Sequence, residues 1–360
     1  MGTVDAQLEM LRELTEAAGL PGFEGEASAV LKRLLLPVAE TVEKDNLGSL
    51  IAKKSCDSAG PRVMIAGHMD EIGFLVSSIT DEGFLRFQTL GGWWEQVMLA
   101  QRVVVKTRQG DIPGIIGSKP PHVLSGDERR KPVEKKNMFI DIGVRDKAEA
   151  EAKGVTPGDP IVPVCPFTVM ANDRYLMAKA WDNRIGCATV VEVLRALQGE
   201  QHPNTVFGVM TVQEEVGLRG AMTSAHAVQP DIGIALDVCI AGDTPGIGKH
   251  EAQSKLGQGP AILLYDASMV PHVGLRNLFI DTAKEEGIPI QFEALAGGGT
   301  DAGRIHLHGR GVPSVVIGFP TRYIHSAASV IHRDDFENTV RLVVAVIKKL
   351  DRTVLKELLA

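Results

Sequence analysis

Two adjacent carboxylates, Glu214 and Glu215, stand where the apolar run TVFGVMTVQ (205–213) gives way to VGLRG (216–220). Like charges side by side repel, so the pair needs a reason. Successive side chains of a strand point to opposite faces. Both glutamates can serve one site only if the strand is already breaking into a turn, which VGLRG supplies. The theme recurs along the chain. VMIAG (63–67) leads to His68 and Asp70, LMAKAW (176–181) to Asp182, IGIAL (232–236) to Asp237, and VPSVVIGFPTRYI (312–324) to His325. Open α/β sheets bind ligands outside the carboxyl ends of their strands. One sheet edge would thus collect four to five carboxylates and two imidazoles. Each desolvated ion costs several kcal/mol unless it is neutralised, and divalent cations would neutralise the set. Imidazoles mixed with carboxylates suit Zn²⁺, Co²⁺ or Mn²⁺ better than Ca²⁺ or Mg²⁺, which prefer oxygen-only shells. No cysteine joins the set, which favours an open catalytic site over a closed structural one.

Taken singly, each residue has a plainer reading. A lone histidine at a strand end is more often a satisfied structural group. Asp182 can be the N-cap of the helix that follows it, and Asp237 can simply end a strand. The coincidence at successive strand exits is what points to a site. His202, His226, His250, His272 and His332 lie in polar or helical contexts without such partners, and His306 and His308 follow a glycine-rich turn. All of these read as structural, while His122, in a charged loop, stays open. The turn itself, ALAGGGTDAG (294–303), matches neither GxGxxG nor the P-loop, so it is a weak phosphate cradle.

Composition narrows the classes. The chain has 360 residues, 44% apolar and 23% charged, which suits a soluble protein of two domains. A formal charge of -7 argues against nucleic acid as a partner. No apolar run reaches membrane length, and the opening MGTVDAQLEMLRELTEAAG is an amphipathic helix rather than a signal peptide. Its MG start lacks the Ser or Thr of a myristoylation signal. Cys56, Cys165, Cys187 and Cys239 are widely spaced with no CxxC pair, as expected of reduced thiols in the cytoplasm.

These residues need elements to hold them. Residues 5–19 and 25–36 have helical periodicity. From about 72 to 164, short β-rich runs are separated by Gly, Pro and Asp turns, with only DKAEAEAKG as a brief helix; this predicts a small barrel or sandwich. Within it, residues 118–137 read as a solvated loop, with a flap or oligomer contact as the sharper alternative. After 165, near-continuous apolar strands alternate with helices, the pattern of a largely parallel sheet. A final helix is expected from about 334, with Asp334 and Glu337 in a capping pattern. Phe336, Val340, Val343, Val344, Ile347 and Leu350 form its apolar stripe. Neither α/β part can complete such a sheet alone. The expected fold is therefore α/β: a mixed, largely parallel sheet covered by helices on both faces. It belongs to a discontinuous catalytic domain (1–70 and 165–360), with a β-rich barrel domain inserted at 71–164.

The segments GHMDEIGF, KAWDNRIG, TVQEEVGLRGA, IALDV, GGGTDAG and RYIHS occur in this order. In them the chain resembles the cytosolic dinuclear-metal aminopeptidases of the glutamyl-aminopeptidase and TET type, zinc-exopeptidase-like enzymes of which some are called cellulase M or endoglucanase. GIIGSKPPHVL and FIDIGV fit as well, so the resemblance spans essentially the whole chain. It implies two divalent metal ions per subunit, zinc or cobalt, with manganese as an alternative. Asp182 would bridge them, His68 and Asp237 would complete one shell, and Glu215 and His325 the other. Asp70 would orient His68, and Glu214 would be the general base. Gly299, Thr300 and Asp301 fall on the substrate side. The resemblance further implies that the barrel is a dimerisation or oligomerisation domain, and that the chain self-associates into a tetrahedral dodecamer. In that assembly the 118–137 loop would approach a neighbour's site. The function implied is release of N-terminal amino acids from peptides by metal-activated water. A deacylase of N-acyl amino acids or sugars is the alternative. A glycosidase fits poorly, because glycoside hydrolysis usually needs two metal-free carboxylates. A metal-stabilised scaffold would have no use for an unligated Glu214.

Overall fold

In the computed structural model, which describes residues 5–56, 59–248, 250–294 and 297–360, Asp5 caps the first helix. The Asp5 carboxylate accepts hydrogen bonds from the N–H groups of Gln7 and Leu8, which opens α1 (Ala6–Glu16). After α2 (Gly25–Leu35) come β1 (Thr41–Lys44), β2 (Leu50–Ser55) and β3 (Arg62–His68). The next strands are β4 (Gly73–Ile79), β5 (Leu85–Leu90), β6 (Arg102–Thr107), β7 (Gly110–Ser118) and β8 (Met138–Asp141), then α3 (Lys147–Ala152) and β9 (Pro160–Pro163). The chain continues through β10 (Thr168–Val169), β11 (Tyr175–Ala178), α4 (Trp181–Ala196), β12 (Thr205–Thr211), α5 (Arg219–Val228), β13 (Ile232–Ile240) and β14 (Ala261–Tyr265). It closes with α6 (Val273–Glu285), β15 (Gln291–Ala294), α7 (Ala302–Ile305), β16 (Ser314–Thr321), β17 (Ser329–His332), α8 (Arg333–Ile347) and α9 (Arg352–Leu359).

Eight strands form one sheet in the order β1-β2-β12-β3-β13-β16-β14-β15. Its centre, β12, β3, β13 and β16, is parallel, while β2 and β14 join it antiparallel. Every residue of β12 and β16 is buried. Strands apolar on both faces demand a cover on each. Helices α1, α2, α4, α6 and α8 supply one, through a core that includes Leu11, Leu31, Trp181, Val190, Phe279 and Phe336. Helices α5 and α7 supply the other, where Ala221, Ala225 and Ile305 meet Met64 and Val209. The expected α/β class is the one observed. Strands β4 to β9 close into a separate barrel in the order β4-β5-β8-β7-β6-β9. Its core is formed by Phe74, Val76, Leu85, Phe87, Val103, Val105, Ile116 and Ile140. Closure leaves this sheet no unpaired edge.

Three local expectations need correction. The strand before Asp182, β11, belongs to a small antiparallel sheet with β10 and β17 rather than to the main sheet. Its burial alternates, as suits a strand covered on one face only. Asp237 does not end a strand: β13 runs three residues further, and Asp237 lies opposite Gly318 of β16. Helix α8 is capped by His332, whose Nδ1 accepts from the N–H of Asp334 at 3.2 Å. β17 runs directly into the helix, so the capping position falls on the strand's last residue. Asp334 and Glu337 instead hold the guanidinium of Arg174.

Candidate metal centre

His68 is the last residue of β3 and is 1% exposed. Its Nδ1 meets the backbone oxygen of Asp70 at 3.1 Å, so as donor it turns Nε2 toward the sheet edge. Asp182 reaches the same place from the start of α4, where its φ and ψ (-80°, 101°) are not helical. It does not cap that helix. Asn183 does the work instead: its Oδ1 accepts from the N–H of Gly186 at 3.0 Å, and its Nδ2 donates to the Leu236 carbonyl at 2.7 Å. This frees the Asp182 carboxylate. The approach of α4 to the sheet depends on two glycines. A Cβ on Gly67 would lie 2.7 Å from the Gly186 carbonyl carbon, and a Cβ on Gly186 would lie 2.7 Å from the Leu236 oxygen.

The two glutamates sit where the strand has already broken. Gln213 has φ of 55°, in the left-handed region, and the Glu214 carbonyl accepts from the N–H groups of Gly217 and Leu218 at 2.9 and 2.8 Å. The turn thus begins before Val216. It is held from outside by Asp70, whose carboxylate accepts from both amides: Glu214 N at 3.0 Å and Glu215 N at 3.1 Å. Asp70 lies 3.6 Å from His68 Nδ1 through Oδ1, but its short bonds go to the turn. His325 follows β16 in a left-handed conformation (φ 56°), with Nδ1 2.6 Å from the Gly92 carbonyl.

The side chains converge. His68 Nε2 lies 3.1 Å from Asp182 Oδ1, 3.7 Å from Glu214 Oε2 and 3.8 Å from Asp237 Oδ1. His325 Nε2 lies 3.4 Å from Asp182 Oδ2 and 3.6 Å from Glu215 Oε2. Among the described residues, His68, Glu214 and Asp237 each offer a ligand atom within 4.8 Å of the others, as do His68, Asp182 and Glu215. By distance alone Glu214 stands with the candidate ligands. Thr300 and Asp301 are buried, with hydroxyl and carboxylate turned inward: Thr300 donates to Asp266 at 3.1 Å and Asp301 accepts from Thr211, while Gly299 is exposed.

The electrostatics are those of an incomplete site. Burial, reinforced by neighbouring carboxylates, raises Glu214 and Asp237 well above the ordinary range, Glu215 to about 8 and Asp301 to about 6. Burial would lower both imidazoles, but the acids outweigh it. Glu214 and Asp182 lead in raising His68, and Asp182 lifts His325 to about 9. Asp182 alone moves down, because its bonds to His325 and His68 exceed its burial. Ionised together, Asp182, Glu214, Glu215, Asp237 and Asp301 would outnumber the two imidazoles even with both rings protonated, and the raised acids hold protons in place of the missing positive charge. Glu215 Oε1 and Asp301 Oδ1 are buried with no hydrogen-bond partner. Such a set fits divalent cations, since hard carboxylates and neutral imidazoles are their donors and the orphaned oxygen is a ready ligand.

The profile of the family described as M42 glutamyl aminopeptidase matches residues 48–342. The chain belongs to the M42 family. It is 37% identical over 346 residues to the glutamyl aminopeptidase of Lactococcus lactis subsp. cremoris (strain MG1363), covering 95% of this chain and 96% of that one. The fold superposes on the crystal structure of a TET aminopeptidase from the marine sediment archaeon Thaumarchaeota archaeon SCGC AB-539-E09 with a TM-score of 0.96, at 51% identity and covering 98% and 99% of the two chains. A TET1 peptidase of Pyrococcus horikoshii, described as assembling into a tetrahedron or a large octahedral shell, matches with a TM-score of 0.86 at 32% identity, covering 96% and 100%. This M42 protein is a metal-dependent aminopeptidase, a peptide hydrolase. Among its described residues no helix is long and apolar enough to cross a membrane.

Proposed function

We propose that the clustered residues hold two divalent cations and use them to release single amino acids from peptide N-termini. The observation that carries this is Asp182, whose two oxygens face different histidines, Oδ1 toward His68 and Oδ2 toward His325. A carboxylate so placed would be shared between the two ions. His68 and Asp237 would then complete one set, and Glu215 and His325 the other. Glu214 is left over, buried beside both. Zinc or cobalt suits this donor mixture, with manganese an alternative. Two cations held there would supply Lewis acidity, making a water molecule more acidic and countering charge on the attacked carbonyl oxygen. Glu214 takes the proton of the attacking water and passes it to the departing amine. Asp70 fixes the turn from which both glutamates project. The cationic α-amine of the peptide is drawn to the surplus of acid around His68, which a blocked N-terminus would not exploit.

The division into a catalytic unit (1–70 and 165–360) and a barrel unit for oligomerisation (71–164) fits the two separate apolar cores. Likeness to a peptidase that assembles into a tetrahedron supports a dodecamer for this chain. Four unpaired cysteines, two of them buried, suit the cytoplasm. In the test, chelated protein is reloaded with Co²⁺, Zn²⁺ or Mn²⁺ and assayed on amino-acid amides, dipeptides and their N-acetyl counterparts. Free-amine substrates should be cleaved and blocked ones spared; the reverse preference would make it a deacylase. Glu214→Gln should keep its metal and lose about 10²–10⁴-fold in kcat. Light scattering should give the mass of a dodecamer, and a monomeric mass would exclude it.

A further inference from the structure

Beside the candidate metal centre lies a second feature of different chemistry. A hollow of about 400 Å³ is lined by Trp94, Val97, Tyr323, Ile324, Ala327 and His325. No Asp, Glu, Lys or Arg lines it, although through His325 it adjoins the acidic cluster around Asp182 and Glu215. His325 belongs to both: its Nε2 faces Asp182 and Glu215 while the ring forms one wall of the hollow. Trp94 is 61% exposed and Tyr323 58% exposed. Two large apolar rings at the mouth of a charged site are the unusual observation, since scattered exposed apolar residues need no explanation but a patch at a site does.

The hollow is built rather than incidental. The segment around Trp94 comes from the loop after β5, the opposite wall from the loop after β16, and the Gly92–His325 hydrogen bond of 2.6 Å ties the two. The second loop is closed on itself, because the Ser326 hydroxyl lies 2.7 Å from both the Tyr323 and Ala328 carbonyls. Tyr323 and His325 both take left-handed φ values, 62° and 56°. Non-glycine residues in that region cost on the order of 1 kcal/mol or more each and persist only where the surroundings impose them. The same strain presents His325 to Asp182 and Tyr323 to the hollow.

Charge gives the hollow its place along a bound peptide. Glu214 Oε2 and Asp237 Oδ1 lie 3.7 and 3.8 Å from His68 Nε2, whereas His325, beyond the shared Asp182, meets only Glu215 among the described acids. The free α-amine therefore belongs on the His68 side, and the remainder of the peptide leaves past His325. We infer that the hollow is the subsite for the side chain of the peptide's second residue, and that it selects apolar side chains there. This rests on the aminopeptidase function proposed above.

The test fixes the first residue and varies the second. Each kcat/KM for a dipeptide is divided by that for the amide of the same first residue, which has no second side chain. With the metal-loaded native protein, Phe or Leu in second position should exceed Gly by about tenfold or more, the value of a few buried methylenes. Trp94→Ala should bring that ratio down toward unity. Val97→Asp should turn the preference to Lys or Arg, a gain that misfolding cannot mimic. A native ratio near one, a ratio that neither substitution moves, or a change in first-residue preference in its place would overturn the assignment. Failure of the native protein to cleave any free-amine substrate, the amide included, would instead count against the proposed function itself.

Discussion

Two groups of buried charge lie within a few residues of each other at the start of α4, and they follow opposite rules. In the first, Glu71 receives Lys179 Nζ at 2.6 Å and faces Arg184 Nη2 at 3.6 Å. Lys179 also donates to the Ala17 carbonyl at 3.2 Å, and Arg184 to those of Met69 at 2.7 Å and Ala17 at 2.9 Å. One anion meets two cations, and backbone oxygens take up the excess. In the second, five carboxylates share two imidazoles and leave buried oxygens without partners. Most of both groups is hidden from water, with His325, 40% exposed, at the open side of the second. Burial of charge is therefore no mark of function by itself. What distinguishes the two is the sign and size of the excess: the first group has one cation more than its anion, held by backbone oxygens, whereas the second is an excess of acid that added cations would offset.

The largest effect should come from the residue that makes the open cluster one site. Asp182→Ala removes the carboxylate between the two histidines, so both ions should be lost and peptidase activity should fall to background. Elemental analysis of the purified variant checks this; full two-metal occupancy would rule out the shared ligand. The closed cluster should respond in stability. Lys179→Met leaves Glu71 buried with a single, longer contact and should cost about 3 kcal/mol by denaturant unfolding, in line with broken buried pairs. Glu71→Leu together with Lys179→Met should recover much of that loss. If Lys179→Met proved harmless, the contrast between a self-sufficient cluster and an incomplete one would collapse.

A smaller effect separates the clusters by pH. In chelated protein, burial holds Glu215 at about 8 and Asp301 at about 6, and Asp182 outweighs burial to hold His325 at about 9. All three lie above their unfolded values, so from about pH 4 to 9 the native state binds more protons than the unfolded chain. Stability is then greatest at the acid end of that window and falls as pH rises. The melting temperature of the chelated protein should drop by roughly 5 °C between pH 5 and pH 9. Bound ions should reverse the trend, because they compete with protons for the same atoms. Calorimetry with and without chelator would show the two curves diverging with pH; parallel curves would mean that the open cluster does not take up the cations.

Much of this was legible in the sequence because it is local. The run of buried residues in β12 and the glutamates after it, His68 at the end of β3, and His325 beyond β16 all follow from apolar periodicity and its interruption. What was hidden is contact between distant segments. Nothing near Asp182 reveals that β11 lies outside the main sheet, or that Asn183 caps α4 in its stead. The match of Gly67 to Gly186 and the pairing of Glu71 with Lys179, 108 residues apart, are likewise products of the folded chain. The tie between Gly92 and His325 spans 233 residues. A histidine cap on α8 was missed because capping patterns favour Ser, Thr, Asp and Asn.

Asp70 shows how such a contact changes a role as well as a position. Its spacing from His68 suggests an acid that orients the ring. In the structure the Asp70 carbonyl meets the ring Nδ1, and the carboxylate accepts from the two amides that carry Glu214 and Glu215. Asp70→Asn keeps the shape but replaces one acceptor oxygen by a donor, so one of the two amides loses its partner. If the carboxylate chiefly holds the turn, kcat should fall about 10–100-fold, the usual cost of losing such support, while metal content stays at two ions. If it chiefly orients His68, the loss should appear as weaker metal binding, rescued by excess metal. Titrating activity against free metal therefore separates the two. An unrescued drop in kcat would place Asp70 with the glutamates it anchors, joining the open cluster to the backbone turn that shapes it.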